Sequence, residues 1–386
     1  MQNRVYYYQM RKTFKYRLYP TKLQVTKMNN ILELTRWVYN ETLALRKNAW
    51  ESEKKSISLY DTAKHLPIWK SQRPELHNVH SQILQNAQIR VDLAFKAFWK
   101  RCKHGKKPGF PRFKGKGWYD SITYPQSGFR LHPDGIYLSK IDRVKIVLHR
   151  PLEGKIKTCT IKKTPTGKWY VYFSCIVETP EPLPKTGKIV GIDLGLITYV
   201  QCSDGTKIDK PRFFNEEKKS LAQAKRRENI TFKAKHKRVL AMIHERIKNK
   251  REDFCHKASK KLVDKYDFIA HEDLNVKNLI EKKENSKNIS DASWSTLIQY
   301  TTAKAESAGR VVVAVDPRGT SQRCSQCGTD VPKTLGIRVH HCPHCGFKTG
   351  RDLNSALEIL RLGLESVERP VPRRKAKAPV KTHGSP

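Results

Sequence analysis

The stretch IVGIDLGLITYV, residues 189–200, sets one carboxylate, Asp193, inside an apolar run between Gly191 and Gly195. Burying even a neutral polar group without a partner costs about 2–7 kcal/mol, and an ionised one costs more. The chain is rich in Lys and Arg, yet none stands within four residues of Asp193. Whatever answers this charge must come from elsewhere in the chain or from a bound cation.

Composition narrows the partners. Seventy-six Lys and Arg against 36 Asp and Glu give a net charge of +40 over 386 residues. That excess repels itself in a compact fold unless a polyanion screens it, and nucleic acid neutralises Lys and Arg one phosphate at a time. A membrane is not an expected partner: no apolar stretch approaches about 18 residues and no signal peptide is present. The longest aliphatic run, VVVAV at 311–315, has the length of a strand. Hydrophobic residues make up 38%, enough for real cores, and the length predicts two to four domains. Five of nine cysteines (Cys102, Cys159, Cys175, Cys202, Cys255) are scattered as reduced thiols in a prokaryotic cytosol would be.

Along the chain, TFKYRLYP (13–20) alternates as a half-exposed strand, and Pro20-Thr21 opens a mostly helical region over 21–103. HGKKPGFPRFKGKG (104–117) forbids regular structure. Residues 118–178 then read as short strands, GIYLSK, RVKIVLH, KTCTIKKT and KWYVYFSCIVE, which predict a small barrel or curled sheet. TPEPLPKTGK (179–188) is a boundary. Beyond it come the Asp193 strand, a second strand ITYVQC, and a basic helical region over 215–265 with 17 Lys and Arg against 7 acids. Its apolar stripe of Leu240, Ile243, Ile247, Phe254, Ala258 and Leu262 skips a turn at Lys250-Arg251. Strands YDFIAHEDL (266–274) and GRVVVAVDP (309–317) flank a helix near 291–308, and RDLNSALEILRLGL opens the last helix. No internal repeat is visible.

Three constellations carry chemistry. In CSQCGTDVPKTLGIRVHHCPHCG, Cys324 with Cys327 and Cys342 with Cys345 form two Cys-x-x-Cys knuckles separated by 14 residues. Facing each other, they complete a closed tetrahedral site for one structural zinc. His340, His341 and His344 are then left for the surface or for nucleic acid. The second constellation is three acids: Asp193 on the first strand, Glu272 at the end of another, and Asp352 where the last helix opens. Asp352 reads equally as a helix N-cap, and Glu272 or Asp273 as a solvated strand end. Their order predicts a mixed sheet on which the carboxylates converge. Converging carboxylates must protonate or bind a cation, and two Mg²⁺ ions about 3.5–4 Å apart would suit phosphodiester cleavage. The third is the loop Lys106, Lys107, Phe110, Arg112, Phe113 and Lys114, either a solvated basic loop or one whose cations meet phosphates while its rings meet bases.

Together YRLYPTKLQ, RWVYN, KPGFPRF, GIDLGL, HEDL, TSQRCSQCG, HCPHCG and RDLNSALEIL make residues 12–362 resemble the TnpB, or OrfB-type, proteins of insertion sequences, relatives of type V CRISPR effectors. The resemblance implies a mixed α/β multidomain chain. Residues 1–20 and 104–185 would form an oligonucleotide-binding β-barrel, interrupted by a helical recognition domain over 21–103. Residues 186–319 and 350–364 would form an RNase H-like RuvC nuclease, with an inserted zinc ribbon over 320–349 and a disordered basic tail over 365–386. It further implies a guide RNA transcribed from the transposon end, a double-stranded DNA target, and Asp193, Glu272 and Asp352 as catalytic magnesium ligands. Where the family often carries another acid two positions before the last one, this chain has Gly350. Two rivals stand beside an RNA-guided, Mg-dependent DNA endonuclease. An inactive guide-directed repressor should have lost an acid, and an unguided junction nuclease has no need of the N-terminal half.

Overall fold

The computed structural model describes residues 9–105, 107–209, 216–231, 234–276, 279, 289, 292–334 and 336–368. The chain divides into two compact units, Met1–Thr179 and Pro180–Pro386, parting at the start of the Pro-rich boundary. Among the described residues no helix is long and apolar enough to cross a membrane.

The first unit begins with strand β1 (Gln9–Tyr19), whose Phe14, Tyr16 and Leu18 are buried at alternate positions. Pro20 ends it. Thr21 and Gln24 form a capping box that starts helix α1 (Lys22–Glu53). Short helices α2 (Leu59–Ala63) and α3 (His65–Gln72) and a 3₁₀ turn (Pro74–Asn78) lead to α4 (Ser81–Lys103). Strands β2 (Ser121–Tyr124), β3 (Phe129–His132), β4 (Gly135–Leu138), β5 (Asp142–Val147), β6 (Lys155–Lys163) and β7 (Trp169–Glu178) complete a seven-stranded sheet in the order β2-β6-β7-β1-β5-β4-β3. Its outermost strands, β2 and β3, are joined by only four residues. Laid flat, seven strands would hold their edges about 29 Å apart, whereas five Cα steps reach at most about 18 Å. The sheet must therefore curl into a partly closed barrel. Arg90 on α4 fastens the β2 edge, donating to the Ser121 carbonyl (2.9 Å) and the Thr123 hydroxyl (2.8 Å). Neither β2 nor β3 was foreseen in the sequence: at four residues each they are too short to show a period.

The second unit is built on strands β8 (Ile189–Asp193), β9 (Thr198–Cys202), β10 (Lys207–Asp209), β11 (Phe268–Glu272) and β12 (Val311–Val315), in the order β10-β9-β8-β11-β12. The first three run antiparallel, and β11 lies parallel to both β8 and β12. Helices α5 (Lys218–Thr231) and α6 (Ala234–Lys265) come from the basic region, and α7 (Trp294–Ala308) precedes β12. The skipped turn of the α6 stripe has a physical reason. Ile243 and Ile247 pack with Leu221 and Ala224 of α5, whereas Cys255, Ala258 and Leu262 belong to the core under the sheet. A small hairpin of β13 (Val339–His341) and β14 (Lys348–Gly350) leads into the last helix, α8 (Arg351–Glu368). That helix runs four residues into the expected disordered tail, because Arg361 ties Glu358 (2.7 Å) and Glu365 along its side. Residues 369–386 lie outside the described residues, as do Lys106 and parts of 210–233.

Helix α8 lies directly on β8 and β11. A Cβ added at Gly191 would sit 2.1 Å from the Ala356 carbonyl oxygen, and one at Gly363 would sit 2.5 Å from Ala270 Cβ. Glycine at these two places lets helix and sheet approach backbone to backbone. Gly191→Ala is therefore expected to destabilise the second unit by about 2–3 kcal/mol, read from hydrogen exchange of β8. Gly350→Ala, whose added carbon meets nothing within 4 Å, should change stability by no more than about 0.5 kcal/mol.

Candidate metal centres and nucleic-acid interface

The close approach of α8 fixes where the acids point. Side chains two residues apart on a strand share a face, so Asp193 faces the same side as Gly191, and Glu272 the same side as Ala270. Gly191 and Ala270 are register partners across β8 and β11. Asp193 and Glu272 therefore stand side by side at the C-terminal ends of two parallel strands. From Gly191 to Asp193 the strand advances about 6.6 Å. From Ala356 back to Asp352 the helix retreats about 6 Å. Gly191 packs against Ala356, so these matching steps carry Asp352 to the same end. The structure brings the three acids to one place.

Their electrostatics agree. The Asp193 carboxyl is pushed up to about 7, first by desolvation, then by the charges of Glu272 and Asp352, with the Arg351 guanidinium pulling the other way. Glu272 is 9% exposed, and burial raises its carboxyl too, offset in part by a hydrogen bond from the Thr320 hydroxyl. Both carboxyls are thus raised, Asp193 by burial and by its acidic neighbours and Glu272 by burial. Asp352 lies in the first turn of α8, one residue inside the helix, with Arg351 Nε 3.8 Å from its Oδ1. It is thus a helical residue beyond the cap position. Asp273 turns outward and is exposed, so Glu272 alone of that pair joins the cluster. Sequence reasoning missed Thr320 and Arg351; the position of Arg351 beside Asp352 was the available signal for the second.

The four cysteines form a second centre. Their sulfurs all lie within 4.8 Å of one another, the one such ligand set of three or more among the described residues. The pairs Cys324–Cys345 and Cys327–Cys342 are 3.7 and 3.6 Å apart. Four thiolates at the usual Zn–S length of about 2.3 Å sit about 3.8 Å apart at the corners of a tetrahedron. The cluster fits a zinc ribbon. Each knuckle closes identically: Gly328 N donates to the Cys324 carbonyl (2.9 Å) and Gly346 N to the Cys342 carbonyl (3.0 Å). Both glycines have φ near +75°, where a side chain is strained. The acids are spaced more loosely than the sulfurs, as suits a hard cation that keeps part of its water shell. One histidine departs from expectation. His340 is fully buried inside the ribbon, against Lys333 and the Phe347 ring, because β13 turns it inward while His341 stays exposed.

The basic loop belongs to the first unit, and Lys106 in it lies outside the described residues. Asn40 grips the loop at Lys114, accepting from its N–H (2.8 Å) and donating to its carbonyl (3.0 Å), and Arg36 donates to the same carbonyl. Lys107, Arg112 and Phe113 are exposed. Phe110 is exposed too, with its ring edge-on to Phe95 and Phe98 at 5.5 and 5.6 Å. It helps line a cavity of about 240 Å³ with Arg46, Trp50, Phe95 and Trp99, where the Arg46 guanidinium lies 4.4 Å over the Phe95 ring.

Two outcomes follow from these centres. Replacing Cys324 by Ser should abolish zinc binding by the cluster and strip amide protection from residues 322–330 and 339–350, while β1 stays protected in hydrogen exchange. The folded Asp193 carboxyl holds a proton that the unfolded one has lost above about pH 4. Stability without divalent ions therefore falls as pH rises from about 4 to about 7. Asp193→Asn should make the chelator-treated protein more stable at pH 8, by on the order of 2 kcal/mol, with the gain gone at pH 4. Thermal unfolding at the two pH values checks it.

The family described as "Probable transposase" matches residues 172–283, "Cas12f1-like, TNB domain" matches 294–359, and "Helix-turn-helix domain" matches 10–55. Over the last of these the chain forms β1 and the single helix α1. A Streptomyces pristinaespiralis protein named "Putative RNA-guided DNA endonuclease" is 34% identical over 371 residues, covering 92% of this chain and 90% of that protein. The Escherichia coli K12 protein "Putative RNA-guided DNA endonuclease InsQ" is 29% identical, covering 91% and 92%. In fold, the chain is similar to the mini-RNA-guided endonuclease CRISPR-Cas_phi3, with a TM-score of 0.50 at 11% identity over 94% of this chain and 93% of that one. By this kinship along nearly its whole length, the chain belongs to the TnpB, or OrfB-type, family of transposon-encoded nucleases.

Proposed function

We propose that this protein is an RNA-guided, magnesium-dependent DNA endonuclease whose hydrolytic centre is Asp193, Glu272 and Asp352. The observation that carries the reading is the gathering of three acids at one end of the sheet, with Asp193 held up to about 7 by burial and by its neighbours. Such a cluster costs stability unless a cation occupies it. The strand order, three antiparallel strands followed by two parallel ones with an acid on the closing helix, supports an RNase H-like, RuvC-type nuclease over 186–319 and 350–364. Magnesium bound there supplies an activated water and a clamp on the scissile phosphate. The chain's own part is to offer three carboxylates on a rigid frame, with Thr320 orienting Glu272 and Arg351 moderating the negative charge. Hydrolysis adds the water oxygen to phosphorus and breaks the bond to the leaving sugar oxygen, which departs with a proton. The zinc ribbon, 320–349, is closed by four thiolates and has no open position for substrate.

The partly closed barrel, with the helical domain over 21–103, supports an oligonucleotide-binding role. In this reading Lys107, Arg112 and Lys114 meet phosphates and Phe113 meets bases, joined by Lys106 and by the ring-lined cavity beside Phe110. The RNA is the transcript of the transposon end, base pairing selects the duplex, and the protein reads a short flanking motif in the cytosol. The test is plasmid cutting by the purified protein with its retained RNA. A guide-matched plasmid should be cut only with Mg²⁺, and Asp193→Ala should lower cutting by at least about 10³-fold while RNA retention stays unchanged. Cutting by Asp193→Ala at the wild-type rate would refute the assignment, and absence of bound RNA would favour an unguided nuclease.

A further inference from the structure

The segment that enters the zinc ribbon touches the supports of two acids within six residues. At its start Thr320, 1% exposed, donates its hydroxyl to Glu272 Oε1, and Thr320 Oγ1 also lies 3.0 Å from the Pro317 carbonyl. Four residues on is Cys324, the first zinc ligand. The backbone on either side of that cysteine is held by one fully buried side chain of α8. Asn354 accepts from Ser325 N–H (3.0 Å) and donates to the Arg323 carbonyl (2.7 Å). One helical turn further along the same face, the buried Glu358 meets the Arg323 guanidinium at 3.6 Å. The other half of the ribbon grips the helix start as well: Arg351 N donates to the Arg338 carbonyl at 2.8 Å. Asn354 is two residues from Asp352, in the same turn of α8.

A buried asparagine that spends both halves of its amide on backbone fixes a distance. A side chain that only covered the ribbon could be apolar, and leaving those two backbone groups unpaired would cost about 1–3 kcal/mol each. We propose that Thr320 and Asn354 are positioning residues: the knuckle between them braces Glu272 and Asp352 at the separation that the divalent ion needs. The proposal rests on the reading of the three acids as the ion site. It gives the zinc a task beyond closing its own loop. Four thiolates lock the turn around Cys324, the locked turn locks Asn354, and α8 carries Asp352 accordingly. Partners that orient metal ligands from outside the ligand shell are typically worth about 10–100-fold in metal affinity.

The test uses the full chain with its retained RNA, Mn²⁺ as the probe ion, and zinc content measured for every variant. The melting temperature is followed against Mn²⁺ concentration, and the response of Asp193→Asn is subtracted to remove ions bound by RNA. Thr320→Val keeps the side chain's shape but not its donor, and is expected to raise the Mn²⁺ midpoint about tenfold. Thr320→Ser should return it to within about threefold, a rescue that mere packing would not give. Asn354→Leu should shift the midpoint the same way. In plasmid cutting both variants should need more Mn²⁺ for half-maximal rate and approach the wild-type rate at saturation. If Asn354→Leu loses zinc or fails to fold, Thr320→Val carries the test. Unchanged Mn²⁺ midpoints in zinc-replete Thr320→Val and Asn354→Leu would overturn the brace alone. A wild-type response equal to that of Asp193→Asn would overturn the ion site and the brace together.

Discussion

Like charges held close in a poorly hydrated place push one another apart, and the second unit is arranged to withstand that push. Asp193 and Glu272 end two parallel strands whose preceding residues, Ile192 and His271, are register partners, so sheet pairing holds their backbones side by side. Asp352 is fixed against them by α8, which can approach because Gly191 and Gly363 carry no side chains. Their backbones cannot move apart without breaking sheet pairing or helix packing. Relief must come from a proton or a cation: burial and the charges of Glu272 and Asp352 raise the Asp193 carboxyl.

The same arrangement explains why a chain of net charge +40 keeps an acidic spot. Basic surface attracts a polyanion over long range, falling off over about 8–10 Å at ordinary ionic strength. The acids act over bond lengths, and in the proposed reading divalent ions between them would make the spot attractive to phosphate. The two charge patterns work at different distances and do not cancel. The ribbon stands apart from both: its four sulfurs match the tetrahedral spacing of zinc.

Much of this was legible in the sequence because it is written locally. The cysteine spacing, the alternation of β1, the apolar stripe of α6 and the acids at strand ends need only a few neighbouring residues to read. Relationships between distant residues were not legible. Thr320 gives no sign of meeting Glu272, 48 positions away, and Asn354 no sign of holding the turn around Cys324. The cysteine spacing leaves His340 to the surface or to nucleic acid, because a three-residue strand is too short to show which of two adjacent histidines turns inward. Nothing in HGKKPGFPRFKGKG announces that Phe95 and Phe98 lie against the Phe110 ring. The skipped turn at Lys250-Arg251 was visible, yet its meaning required seeing that α6 serves two separate cores.

The most direct measurement is anomalous diffraction from crystals grown with Mn²⁺, compared with crystals of Asp193→Asn grown alongside. The account predicts a manganese peak among the carboxylate oxygens of Asp193, Glu272 and Asp352, and its loss in the variant. Manganese absent from that place in the wild type, with the ion bound elsewhere or nowhere, would contradict it.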